Sequence, residues 1–167
     1  MMGYPLLEFR ILLQLRCQQT DIKISKSLFK ELKEKFCPKK EELLYTKDGT
    51  IGLSYVVTKE ENTIISGAIL RLICQDVESA KYLKIILSLK MYKELVTKKS
   101  TGTIIQHLNL KEFLKIPIPF PEKEKRDKII REVDEIKAKV KSLRKEAALI
   151  LQKTQQEVEI ILFHKAD

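Results

Sequence analysis

Ile116-Pro117-Ile118-Pro119-Phe120-Pro121, followed at once by Glu122-Lys123-Glu124-Lys125-Arg126-Asp127-Lys128-Ile129-Ile130, is where the chain changes character. Proline lacks a backbone N–H, fixes φ and pushes its predecessor out of the helical region, so three alternate prolines impose an extended segment. From Glu122 to His164 there is neither Gly nor Pro. Arg126, Ile129, Val133, Ile136, Val140, Leu143, Ala147, Ile150 and Thr154 fall at alternating spacings of three and four, and seven of these nine are apolar. That is a period of about 3.5 residues held over about four heptads, the pattern of a coiled-coil seam. The stripe then shifts to Val158 and Ile161. One helix is predicted over 122–163, roughly 63 Å long at 1.5 Å per residue. Glu122 and Glu124 lie near its positive end, where carboxylates are favoured.

A narrow apolar stripe of that length needs cover, and no other segment of the chain predicts a helix of similar length. The simplest cover is a second copy or a related chain, packed parallel or antiparallel. Ile129, Val133, Ile136, Val140, Leu143, Ala147 and Ile150 are therefore the candidate dimerisation residues. The competing reading folds the helix back on its own domain, with a break near Ala147-Ala148.

Upstream of the prolines, strand and helix signals alternate. Ile22 and Ile24 read as a strand leading into an amphipathic helix with Leu28, Phe29, Leu32 and Phe36, capped by Ser25 and ended by Pro38. Leu43-Leu44-Tyr45 and Leu53–Thr58 read as strands about the Lys47-Asp48-Gly49 turn. Thr63–Ile65 and Ala68–Ile73 are further strand pieces, separated at Ser66-Gly67. Val77–Val96 has helical periodicity with Lys81, Lys84, Lys90 and Lys93 on its polar side. Lys98-Lys99-Ser100-Thr101-Gly102-Thr103 reads as a basic loop, and Asn109 with Glu112 as a capping box opening a short helix through Leu114. The apolar run Leu6–Leu15 is a buried strand or short helix; it contains Glu8, Arg10 and Gln14 and is too short to span a membrane. The expected fold class is α+β: a small mixed α/β domain over 1–121 and a long coiled-coil helix over 122–163.

The net charge of +9 is unevenly placed. Residues 122–167 hold 12 Lys+Arg against 10 Asp+Glu, whereas residues 1–121 hold 20 against 13. A basic globular part suits a polyanion, because each cation that meets a phosphate releases counterions; a Lys-rich surface also arises in proteins that are merely soluble. Cys17, Cys37 and Cys74 are far apart and form no C-x-x-C, which argues against zinc and disulfides and for a reducing, cytoplasmic setting.

Two segments carry a family resemblance. Glu42-Leu43-Leu44-Tyr45-Thr46-Lys47-Asp48-Gly49-Thr50-Ile51-Gly52 is similar to a segment ending in Gly-Thr-Ile-Gly in the specificity subunits of type I restriction–modification enzymes. The stretch from Thr101 to Pro121, ending Ile116-Pro-Ile-Pro-Phe-Pro, resembles the segment that feeds into those subunits' conserved long helix. The resemblance covers roughly Ile22 onwards; residues 1–21 match poorly. Family members carry two recognition domains and two long helices, whereas this chain has one of each. The resemblance implies a half-subunit that recognises double-stranded DNA through a target-recognition domain and pairs with itself through its helix. It implies docking to adenine-N6 methyltransferase subunits, with a nuclease–translocase subunit joining some complexes. It implies no catalysis and no cofactor in this chain.

For DNA contact the candidates are Lys47 on the Asp-Gly turn and Lys98, Lys99, Ser100, Thr101 and Thr103, whose charges, hydroxyls and N–H groups suit phosphates. The opposing reading makes them a solvated turn and loop, with Gly49 and Gly52 there only for the backbone. Arg71 and Gln75 are further candidates for reading bases. His107 and His164 have no ligand or nucleophile at a useful spacing and read as structural or solvated. Asp21 with Glu31-Leu32-Lys33 and Asp127 with Glu135-Ile136-Lys137 mimic a nuclease D…E-x-K. Both E-x-K pieces fall in predicted amphipathic helices, where a Lys/Glu-rich chain produces such matches by chance. No phosphate-binding or methyl-transfer motif occurs.

Overall fold

The computed structural model describes residues 4–8, 18–60, 62–101 and 107–163. Gly102, Thr103, Cys17 and His164, which figure in the sequence reading, lie outside them. The chain separates into two units, Met1–Arg126 and Asp127–Asp167.

The first unit follows the order β1 (Tyr4–Glu8), β2 (Gln18–Ile24), α1 (Lys26–Phe36), β3 (Leu43–Thr46), β4 (Ser54–Val56), β5 (Ile64–Ile65), β6 (Ile69–Leu72), α2 (Val77–Ser88), α3 (Lys90–Lys99), β7 (Ser100–Thr101), β8 (His107–Leu108) and α4 (Leu110–Phe113). Among the described residues the strands form three small sheets, ordered β2-β1-β5, β4-β3-β6 and β7-β8. Every pairing is antiparallel except β1 with β5, which runs parallel.

β3 is the centre of this unit. Leu43, Leu44 and Tyr45 are each at most 1% exposed, and Thr46 is buried as well. A strand covered on both faces reads as a continuous apolar run, not an alternating one. Leu44 packs with Val57, Ile65 and Ile69. Tyr45 stacks at a tilt on Phe113 of α4, 5.1 Å between ring centres. With burial on every side, the Tyr45 phenol is pushed up to about 12.

The helices start where short-range chemistry says they should. The Ser25 hydroxyl accepts from Leu28 N–H, and the Asp76 carboxylate accepts from Ser79 N–H at 2.7 Å. The single helix expected over Val77–Val96 is instead two. Leu89 stands between them in an extended conformation at φ −64°, ψ 143°. The turn lets Ala80, Tyr82, Ile86 and Leu87 of α2 and Tyr92 and Val96 of α3 all be buried, which one straight helix would spread around its circumference. The capping box at Asn109 is half formed: Asn109 accepts from Lys111 N–H, but Glu112 pairs with Lys115 and Lys99.

The proline segment is lashed down by tyrosines. Its carbonyls lack strand partners, and two α-helical hydroxyls reach them: Tyr82 donates to the Pro119 carbonyl at 2.9 Å and Tyr92 to that of Pro117 at 3.0 Å. Phe120 meets the Tyr82 ring edge-on, and the Arg126 guanidinium lies 4.1 Å from the Phe120 ring centre.

The second unit is helical. α5 runs unbroken from Lys123 to Phe163, 41 residues, so no break occurs near Ala147-Ala148. Ile129 and Val133 are half-buried, and every residue from Asp134 to Phe163 is exposed.

Candidate nucleic-acid interface

The Asp-Gly turn is wider than a two-residue hairpin and is organised by one buried hydroxyl. Thr46 Oγ1 donates to the Thr50 carbonyl at 2.6 Å and accepts from Leu53 N–H at 3.0 Å. Gly49 and Gly52 take φ of 71° and 93°, and a Cβ on Gly52 would meet the Tyr45 hydroxyl at 3.5 Å. Both glycines therefore answer backbone requirements.

The turn is then joined to the second candidate segment. Asp48 forms a β-bridge with His107, and Leu108 N–H donates to the Lys47 carbonyl at 2.8 Å. On the other edge of β8, Thr101 lies opposite His107 and Ser100 opposite Leu108. Lys47 N–H also donates to the Ala68 carbonyl, which ties this ribbon to the β4-β3-β6 sheet. Segments more than fifty residues apart in sequence thus lie side by side, with Lys98 and Lys99 immediately before β7.

Lys98 and Lys99, expected in a basic loop, are helical. They form the last turn of α3, where their charge complements the negative helix end, and Ser100 and Thr101 are in a strand. Lys98 is exposed. Lys99 reaches Glu112 at 3.3 Å. The ammonium groups of Lys115 and then Lys99 hold the Glu112 carboxyl below its ordinary value. The Ser100 hydroxyl donates to the Thr97 carbonyl at 2.7 Å, so its proton serves the helix end. Lys47 pairs with Asp48 at 3.1 Å. Asp48 also takes the Nδ1 of His107, a pairing across 59 residues that only the bridge creates. Spacing along the chain gave no sign of it. The useful sequence signal would have been the alternation of exposed His107 with fully buried Leu108.

Arg71 leaves the list of base-reading candidates. Its guanidinium pairs with the buried Glu42 at 3.1 Å and donates to the carbonyls of Glu34, Lys35 and Cys37. It closes the C-terminal end of α1, whose last carbonyls would otherwise lack donors. Gln75 is exposed. Among the described residues no cluster of His, Cys, Asp or Glu is placed to hold a metal, and no helix is long and apolar enough to cross a membrane.

A family model described as "Type I restriction modification DNA specificity domain" matches residues 5–152. The chain belongs to this family. The specificity domain is the recognition part of such systems, not a catalytic one. Its fold is similar to that of the type I restriction–modification S subunit from M. genitalium, at 18% identity and a TM-score of 0.56. The match covers 78% of this chain and 35% of that one, so the specificity domain described here spans about a third of the S subunit's length. No curated protein sequence matches it.

Proposed function

We propose that this chain binds double-stranded DNA sequence-specifically and delivers an adenine-N6 methyltransferase to its target. The observation that carries this reading is the Asp48–His107 bridge. In a chain of the specificity-domain family, it gathers Lys47, Lys98, Lys99, Ser100 and Thr101 onto one ribbon and one helix end. A β-ribbon with an outward face, here marked by His107, fits the major groove, and flanking lysines neutralise phosphates.

In this reading α5 pairs with the α5 of a second copy through Ile129, Val133, Ile136, Val140, Leu143, Ala147 and Ile150. Two recognition domains are then held a fixed distance apart, and a two-fold assembly reads a bipartite palindrome. Methyltransferase subunits, and in some complexes a nuclease–translocase subunit, dock on that frame in the cytoplasm.

The test is fluorescence anisotropy with labelled duplex DNA over a salt series. Affinity falls steeply as salt rises, and the log–log slope drops by about one when Lys98 becomes Ala. Absent or salt-independent binding overturns the reading. It would favour a second one, which the exposed apolar residues between Ile136 and Phe163 support: an interaction protein that works through α5 without touching DNA.

A further inference from the structure

His107 occupies the middle of the ribbon, with Thr101 on one side and Asp48 on the other. Alternation along β8 sends Leu108 into the core and His107 outward, its side chain 52% exposed. The imidazole is nevertheless held. Its Nδ1 is against Asp48 Oδ1, and the other oxygen, Oδ2, takes the Lys47 ammonium at 3.1 Å. Lys47 balances the carboxylate charge, so the cluster does not repel a polyanion.

This arrangement decides which ring atom is available. In a neutral ring that gives Nδ1–H to the carboxylate, the remaining polar atom is Nε2, and it is an acceptor. A phosphate offers only acceptor oxygens and cannot pair with it. The major-groove edges of adenine and cytosine each offer an amino donor, N6 or N4. Because the carboxylate already fixes the ring, little side-chain freedom is lost when a base meets it.

We infer that His107, positioned by Asp48, is a specificity-determining residue that accepts a hydrogen bond from the amino group of an adenine or cytosine in the major groove. This rests on the DNA-recognition reading above and adds to it one residue and one base chemistry.

The experiment is selection from a randomised duplex library, with sequencing, for the full chain and for His107→Ala, His107→Gln and Asp48→Ala. In His107→Ala, preference for the amino-bearing base relaxes roughly tenfold at one base pair of each half-site, and preferences elsewhere are kept. His107→Gln supplies a carbonyl acceptor and keeps the amino-bearing base. Asp48→Ala relaxes the same base pair by a smaller factor; a role in folding alone would weaken binding to all sequences equally. If the wild type selects a sequence and His107→Ala selects the same one equally well, this inference is overturned and the DNA reading stands. If the wild type selects nothing, both fall.

Discussion

The two units use the same apolar residues in opposite ways. In β3, Leu43 and Leu44 are almost wholly covered by neighbouring strands and α2, whereas on α5 Ile136, Leu143 and Ile161 are 64%, 54% and 76% exposed. The first unit closes its own core and reaches even the carbonyls of its proline segment with tyrosine hydroxyls. The helix has its backbone hydrogen bonds in hand but leaves its apolar stripe open along thirty residues. Burying such side chains is worth about 1.5–3 kcal/mol each. The first unit gains that within one chain; the second gains it only against another surface. The contrast separates a part whose stability is internal from a part that, in the proposed assembly, draws stability from a second copy and so depends on concentration.

The largest expected effect breaks the contrast directly. Replacing Ile136 and Leu143 together by Asp puts charge into the proposed seam. Sedimentation across a concentration series should show self-association in the wild type and none in the double variant, with the thermal midpoint of the recognition unit unchanged. A wild type that stays monomeric at high concentration removes the proposed role of α5. A smaller but still large effect lies in the first unit. Arg71→Leu leaves the buried Glu42 carboxylate without its cation and takes the donor from three carbonyls at the end of α1. Chemical denaturation should record a loss of about 3 kcal/mol; under 1 kcal/mol would mean that α1 is held by apolar contacts alone.

The smallest effect sharpens the comparison by isolating one cap. Asp76→Ala removes the acceptor at the start of α2 and should cost about 1 kcal/mol near neutral pH. The Asp76 carboxyl is held below its ordinary value, chiefly by the hydrogen bonds from Ser79. A lowered folded-state value means the charged form stabilises the fold. The wild-type advantage is therefore complete above the unfolded value of about 3.9 and is lost as pH falls through the lowered one. Denaturation midpoints of both proteins, followed downward from neutral pH, should converge in acid; a constant gap would contradict the capping role.

What the sequence determined by itself was local. The absence of Gly and Pro after Pro121 and the 3.5-residue period were enough for α5, because a helix is built from contacts three and four residues apart. Ser25 and Asn109 were legible as caps for the same reason: their partners lie two or three positions away. The tertiary structure decided what depends on distant partners. The division of the expected long helix at Leu89 follows from which helix faces the core buries, while the parallel pairing of β1 with β5, the tyrosines that hold the prolines and the capture of Arg71 by Glu42 all join residues far apart in the chain. So does the meeting of Asp48 with His107, which no spacing rule encodes, because it exists only once the Lys47 turn has been laid against β8 by backbone hydrogen bonds.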